Sequence, residues 1–277
     1  MAPLFNGASW AGVERREPVR PPVPHDPAGA TLVEMVGPAA CGKTTLARAL
    51  VAALQARGRA ARLAASARPS EGEDDPRGWR TGAGPLLAPA SRMAKAAALA
   101  PTLAGRPSAQ RSTREILGAL PPRSFMWELR YRRYLDQLGA RWEEALAFPG
   151  ATVFDQGFLS AVASLAALGR ALDVAACARA LDAAPRPDLA VRLDAPLERL
   201  EHRLTLRLRA QGPVERLLEP GPAAAPAQLA AFEALDVLLE RRALRVLRLS
   251  VPDLDALPAA VARIEHEIAA LRGETET

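Results

Sequence analysis

The sequence predicts an α/β fold: a parallel five-stranded sheet flanked by helices, with a helical insertion and a lid segment added to it. Three observations point there. Short apolar stretches of strand length recur along the chain, separated by longer helical patterns, as a βαβ succession requires. Apolar residues make up 49% of the 277, mostly Ala and Leu, while aromatics are only 4%, a balance that favours helices packed on a sheet over an all-β design. Finally, the first apolar stretch runs straight into a glycine-rich turn and then a helix.

That first strand is Thr31-Leu32-Val33-Glu34-Met35-Val36. Behind it comes Gly37-Pro38-Ala39-Ala40-Cys41-Gly42-Lys43-Thr44-Thr45, which matches G-x-x-x-x-G-K-[ST], the phosphate-binding loop. A strand feeding such a turn into a helix aims several backbone N–H groups at one spot, and the positive end of the helix dipole adds to them. Lys43 is then placed to reach the β- and γ-phosphates of ATP, and the Thr44 hydroxyl to ligate Mg²⁺. The chain has 36 Lys and Arg, yet Lys43 and Lys95 are the two lysines among them. A compact ammonium therefore persists where a planar guanidinium would suit the site less well. Cys41 within the loop leaves two readings open: a reactive thiol at a helix N-terminus, or a small residue that fits.

After the loop helix, closed by Gly58, residues 59–65 read as a second strand. Residues 66–91 are rich in Gly, Pro, Ser and acids, the chemistry of a long loop, read as partly disordered without ligand. From 88 to 148 the pattern is helical, cut by Pro101, Pro107 and Pro121-Pro122, and clearest from Ser124 to Phe148. Arg130, Arg132 and Arg133 ride on that last helix beside Tyr131 and Tyr134, where a solvated basic face competes with substrate binding. Ala151-Thr152-Val153-Phe154 then makes a buried parallel strand that ends by presenting Asp155 at its carboxyl edge, followed by Gln156 and Gly157. Ligands bind at that edge in open α/β sheets, so Asp155 can hold Mg²⁺ or accept a proton, or else cap the helix that starts near Phe158.

Helices follow over 158–169 and 172–183, then a strand over 187–194 and a helix from Pro196 to Ala210. Asp194 is the rival metal residue, with helix capping the better reading ahead of Pro196. Arg199, Arg203 and Arg207 recur every fourth residue and share one face, with Arg209 beside them. Residues 203–226 form a candidate lid that delivers arginines to a transferring phosphoryl group. A helix over 227–241, a strand over 243–249 and a helix over 253–271 complete the expected domain, residues 31–272. Residues 1–30 are expected to be a flexible leader and 273–277 a tail.

The order of these parts resembles the P-loop nucleotide and nucleoside kinases, nearest to thymidylate kinase-like proteins. The residues that carry the resemblance are Gly37 to Thr44; Arg133 ahead of the third strand; Asp155-Gln156-Gly157 after it; and Pro187-Asp188-Leu189, Leu193-Asp194-Ala195-Pro196, Arg203, Arg207 and Arg209. It implies an ATP-dependent kinase with Lys43, Asp155, Arg203 and Arg207 in catalysis. It further implies Thr44 and Asp155 at Mg²⁺, and Arg130, Arg133 and Gln156 at the acceptor in the 66–150 insertion. Gln156 stands where the family has an arginine, and residues 73–120 depart from compact members, so the differences fall on the acceptor side.

The partner expected is a small-molecule phosphate acceptor, with a homodimer also open. A formal charge of +5 is spread among 31 acids with no aromatic interleaving, which argues against nucleic acid. No uninterrupted apolar run reaches 18 residues, so no membrane span is expected, and Cys41 and Cys177 make no disulfide framework. A cytoplasmic enzyme is the reading that results. The alternative is a P-loop regulatory ATPase or nucleotide-dependent switch, which would show an exposed apolar surface in the 66–150 insertion instead of a closed acceptor cavity.

Overall fold

The structure is a computed structural model that describes residues 29–65, 107–169, 171–210 and 221–273. The expected leader up to residue 28, the loop 66–91, the helical stretch 88–106, lid residues 211–220 and the tail after 273 lie outside the described residues.

Five parallel strands form one sheet in the order β2-β3-β1-β4-β5. These are β1 (Thr31–Val36), β2 (Ala61–Ala64), β3 (Ala151–Phe154), β4 (Leu189–Asp194) and β5 (Val246–Ser250). A central strand in such a sheet is covered on both faces, hence the near-continuous apolar run of β1, all of it buried. Its side chains alternate: Leu32 and Val36 enter one core, Val33 and Met35 the other.

Helices fill both faces. On one side α1 (Lys43–Ala56) packs beside α8 (Leu257–Leu271). On the other lie α2 (Pro107–Ala119), α3 (Phe125–Leu146), α4 (Phe158–Leu168), α5 (Val174–Ala183) and α7 (Ala225–Arg241). Helix α6 (Leu197–Ala210) follows β4, and a short 3₁₀ turn, Pro222–Ala224, leads into α7. Helices α2 and α3 belong to the main core. Trp142 of α3 packs 4.8 Å from the Phe154 ring of β3 and meets Phe158 of α4 edge-on at 5.5 Å.

The helices that follow the neighbouring strands β1 and β3 leave on opposite faces of the sheet. Their connecting loops diverge there, and a crevice opens at the carboxyl edge between them. The loop after β1 is 37–42; the turn after β3 is Asp155-Gln156-Gly157.

The boundaries that differ from expectation have local causes. The stretch after α7 is its C-terminal cap before it is a strand. Ala243 takes φ 50°, its N–H donates to Glu240 O and the Leu244 N–H to Leu239 O, the paired bonds of a Schellman turn made without glycine. Strand β5 therefore starts at Val246. Asp253 accepts the Ala256 N–H at 2.9 Å in a turn ahead of α8, which delays that helix to Leu257.

Trp142→Ala removes the ring that joins α3 to β3 and α4. Loss of about 3–5 kcal/mol is expected, read as a lower urea midpoint with the slope unchanged.

Candidate functional site

The loop 37–42 has the backbone that its glycines permit. Gly42 sits at φ 106° ahead of α1, a left-handed conformation that side chains resist. At Gly37 a Cβ would come 2.8 Å from both Cys41 Sγ and the Leu193 carbonyl oxygen. Ala40 adopts φ 67° without being glycine, a local strain of about 1 kcal/mol at the crest of the loop. The Lys43 side chain folds over this turn: its ammonium donates to the carbonyls of Gly37 and Pro38, both at 2.7 Å, and lies 3.8 Å from Cys41 Sγ. Cys41 is buried in the adjoining core.

This loop therefore follows the central strand of a 2-3-1-4-5 all-parallel sheet flanked by helices on both faces.

Across the crevice, Asp155 stands fully buried after β3, and the Thr44 hydroxyl donates to its Oδ2 at 3.1 Å. A hydroxyl and a carboxylate side by side at the start of α1 are the donor set that Mg²⁺ takes when phosphates and water complete its shell. Among the described residues no three His, Cys, Asp or Glu side chains cluster as an all-protein metal centre would need.

Three amides at the start of α4 are held by Glu34, in the middle of β1. Its Oε1 accepts from Gly157 N at 3.1 Å and Ser160 N at 2.8 Å, and its Oε2 from Leu159 N at 3.2 Å. The Ser160 hydroxyl adds a bond to the Met35 carbonyl at 3.1 Å. A Cβ on Gly157 would stand 2.4 Å from the Glu34 carboxyl, so only glycine leaves room for this approach. Burial pushes the Glu34 carboxyl up to about 7, against the pull of the amide donors.

From the other side, Arg203 of α6 donates to the Ala40 carbonyl at 3.3 Å, and Gln228 of α7 accepts the Ala39 N–H at 3.1 Å. Arg207 lies one turn beyond Arg203 on α6, and its side chain is outside the described residues. Arg199 is directed elsewhere, to the Pro252 carbonyl at 2.6 Å. Asp194 pairs with the buried Arg192 at 3.2 Å, and no hydrogen bond from it to the start of α6 is found among the described residues.

Beside the turn after β3, Tyr134 of α3 places its hydroxyl 3.5 Å from the Gln156 carbonyl. Trp127, Tyr131 and Tyr134 form a ladder with ring centroids 6.1 and 6.2 Å apart, and the Arg130 guanidinium lies over Trp127 at 4.9 Å. Arg130 and Arg133 are exposed on this helix. The structure thus gathers Lys43, Thr44, Asp155 and Arg203 about one loop, with Gln156 beside Asp155. The roles of Glu34 and Gln228 escape sequence reasoning. For Glu34 the signal available was a carboxylate in an otherwise apolar strand.

No family model and no curated protein sequence matches the chain. Among solved structures it is similar to thymidylate kinase from Ehrlichia chaffeensis, over 87% of this chain and 98% of the other, at 13% identity and a TM-score of 0.43. That is a likeness in outline; the fold rests on strand order and loop geometry. No described helix is long and apolar enough to cross a membrane.

Glu34 gives the site a pH signature. The unfolded chain ionises this carboxyl near 4.5, the folded chain near 7, so folding favours the protonated form. Its contribution to stability is therefore fully present below about pH 4.5 and lost as pH rises through about 7, by up to about 3 kcal/mol. Urea midpoints at pH 5 and pH 8 should show this fall in the parent, and Glu34→Gln should lose that part of the slope.

Proposed function

We propose that this protein is an ATP-binding phosphotransferase of the nucleotide- or nucleoside-kinase type, which moves the γ-phosphoryl of ATP to a small acceptor and releases ADP. The single observation that carries the reading is the convergence on one loop of Lys43, the Thr44–Asp155 pair and Arg203, from three separate elements. In this reading Lys43 and the loop amides hold the donor phosphates, with Thr44 and Asp155 at Mg²⁺. That ion would neutralise charge on the β- and γ-phosphates. Arg203, with Arg207 behind it, steadies the charge that develops on the transferring group. Asp155 receives the proton where the acceptor is a hydroxyl. Gln156, Arg130 and Arg133 are assigned to the acceptor, with the Trp127–Tyr131–Tyr134 face beside them. The two cysteines of the chain, both free, suit a reducing cytoplasm.

A second reading, a P-loop regulatory ATPase or switch, draws on one observation. Phe125, Met126 and Leu129 at the start of α3 are 74%, 70% and 51% exposed, an apolar surface of the kind a protein partner covers. The two readings separate in one assay: ADP release with Mg²⁺-ATP, screened against nucleosides, nucleotides and sugar-like acceptors. A kinase shows release that one acceptor class stimulates and a phosphorylated product. A switch shows slow release that no small acceptor changes.

Lys43→Ala should lower that release by about 10²–10³-fold or more while leaving the thermal midpoint nearly unchanged. Asp155→Asn should lower it comparably and flatten its dependence on Mg²⁺. Unaltered turnover in Lys43→Ala would sink the assignment.

A further inference from the structure

One face of α7 is tied to the phosphate loop at two places. Gln228, Phe232 and Asp236 recur every fourth residue and so lie in line along the helix. Gln228 accepts the Ala39 N–H directly. Phe232 lies 5.4 Å from the Arg192 guanidinium, and the Asp236 carboxylate accepts from Arg192 Nε at 3.1 and 3.2 Å. Arg192 sits in β4 opposite Val36, only 2% exposed, and its Nη1 donates to the Leu193 carbonyl. A Cβ on Gly37 would stand 3.5 Å from that Nη1. The buried ion pair thus packs under the first residue of the loop, while Gln228 holds the third.

The second tie bears on Lys43. The Pro38 carbonyl and the Ala39 N–H belong to one planar peptide unit, and no cis bond occurs among the described residues. Its oxygen accepts from the Lys43 ammonium at 2.7 Å, and its N–H donates to Gln228 at 3.1 Å. The plane is pinned at both ends by side chains from two different elements. Because it is rigid, rotation that breaks one contact displaces the other. Helix α7 is a firm anchor for this, since Ala231, Leu235, Leu238 and Leu239 are buried in the main core.

We infer that Gln228 is a positioning residue for Lys43: it fixes the peptide on which the ammonium rests, and so sets where that charge meets the terminal phosphates. The inference rests on the phosphotransferase reading for its consequence, though the clamp itself needs no nucleotide. A neutral carboxamide suits the place, because it accepts the N–H without setting a negative charge beside the phosphate site.

Gln228→Met keeps length and volume and removes the acceptor, whereas Gln228→Glu keeps an acceptor oxygen. Two measurements on the full chain decide the matter. In hydrogen–deuterium exchange without nucleotide, the Ala39 amide should exchange about 2- to 10-fold faster in Gln228→Met and stay slow in Gln228→Glu. With Mg²⁺ present, Gln228→Met should lose about 2- to 10-fold of the preference for ATP over ADP, because Lys43 serves the terminal phosphate most. Equal weakening of ATP and ADP, or exchange unchanged from the parent, overturns the inference. A parent protein that binds neither nucleotide overturns the phosphotransferase reading and this consequence with it. The exchange result, which needs no nucleotide, tells the two failures apart.

Discussion

A carboxylate buried in the central strand sets the geometry on which the rest depends. Glu34 reaches from β1 to three amides at the start of α4, and α4 begins directly after the turn that carries Asp155. The same strand runs on, through Val36, into the phosphate loop. Both walls of the crevice are therefore referenced to β1: the loop by covalent continuity, the Asp155 turn by the Glu34 cap. Hydrogen bonds to a helix N-terminus are directional and hold a carboxylate well, yet burial still drives this one towards protonation. Its location is expensive in solvation and specific in effect, the pattern expected where geometry rather than stability is the gain.

Arg192 repeats that pattern on the other side of β1. It is a cation in the interior of β4, answered by Asp236 of α7, which also accepts from Arg248 of β5 at 3.0 Å. Burial raises the Asp236 carboxyl from its usual range, while the two guanidiniums pull it back down. Well-packed apolar residues of similar volume would stabilise as well as such a network does. What an apolar residue could not do is orient β4, β5 and α7 with hydrogen bonds under Gly37. The sheet therefore carries one buried acid and one buried base on the strands that flank the loop, each fixing a different connection.

Much of the fold was legible because its signals are local. The loop motif, the strand ahead of Asp155 and the Ser124 helix start can be read from neighbours in sequence, and Ser124 does accept the Trp127 N–H at 3.4 Å. The Schellman turn at Ala243 was not, since glycine is the usual marker and alanine carries none. In the site, sequence singles out residues that would touch phosphate and misses those that hold them. Gln228 meets Ala39 across 189 positions, and Glu34 meets Ser160 across 126. No pattern within either segment encodes such a partner. Asp194 shows the opposite error: the rule for caps ahead of a proline is sound, but Arg192 two residues earlier offers a charged partner that outweighs a backbone amide.

The two sides of the crevice differ in how firmly they are built, and helix α3 shows why. Its C-terminal half is anchored by Trp142 and Leu138 in the main core; its first turn leaves Phe125, Met126 and Leu129 exposed. Tyr134, between these regimes, touches the Gln156 carbonyl beside Asp155. Local stability follows burial, so it falls along α3 from Trp142 towards Ser124. The phosphate loop has no such gradient, being clamped from α6, α7 and its own lysine. On the proposed reading the donor is met by a preorganised cradle, where alignment lowers the barrier directly. The acceptor is met by a helix held at one end, whose free turn can settle on the molecule that arrives. Specificity for phosphate is then a property of rigid backbone, and specificity for the acceptor a property of how the start of α3 closes.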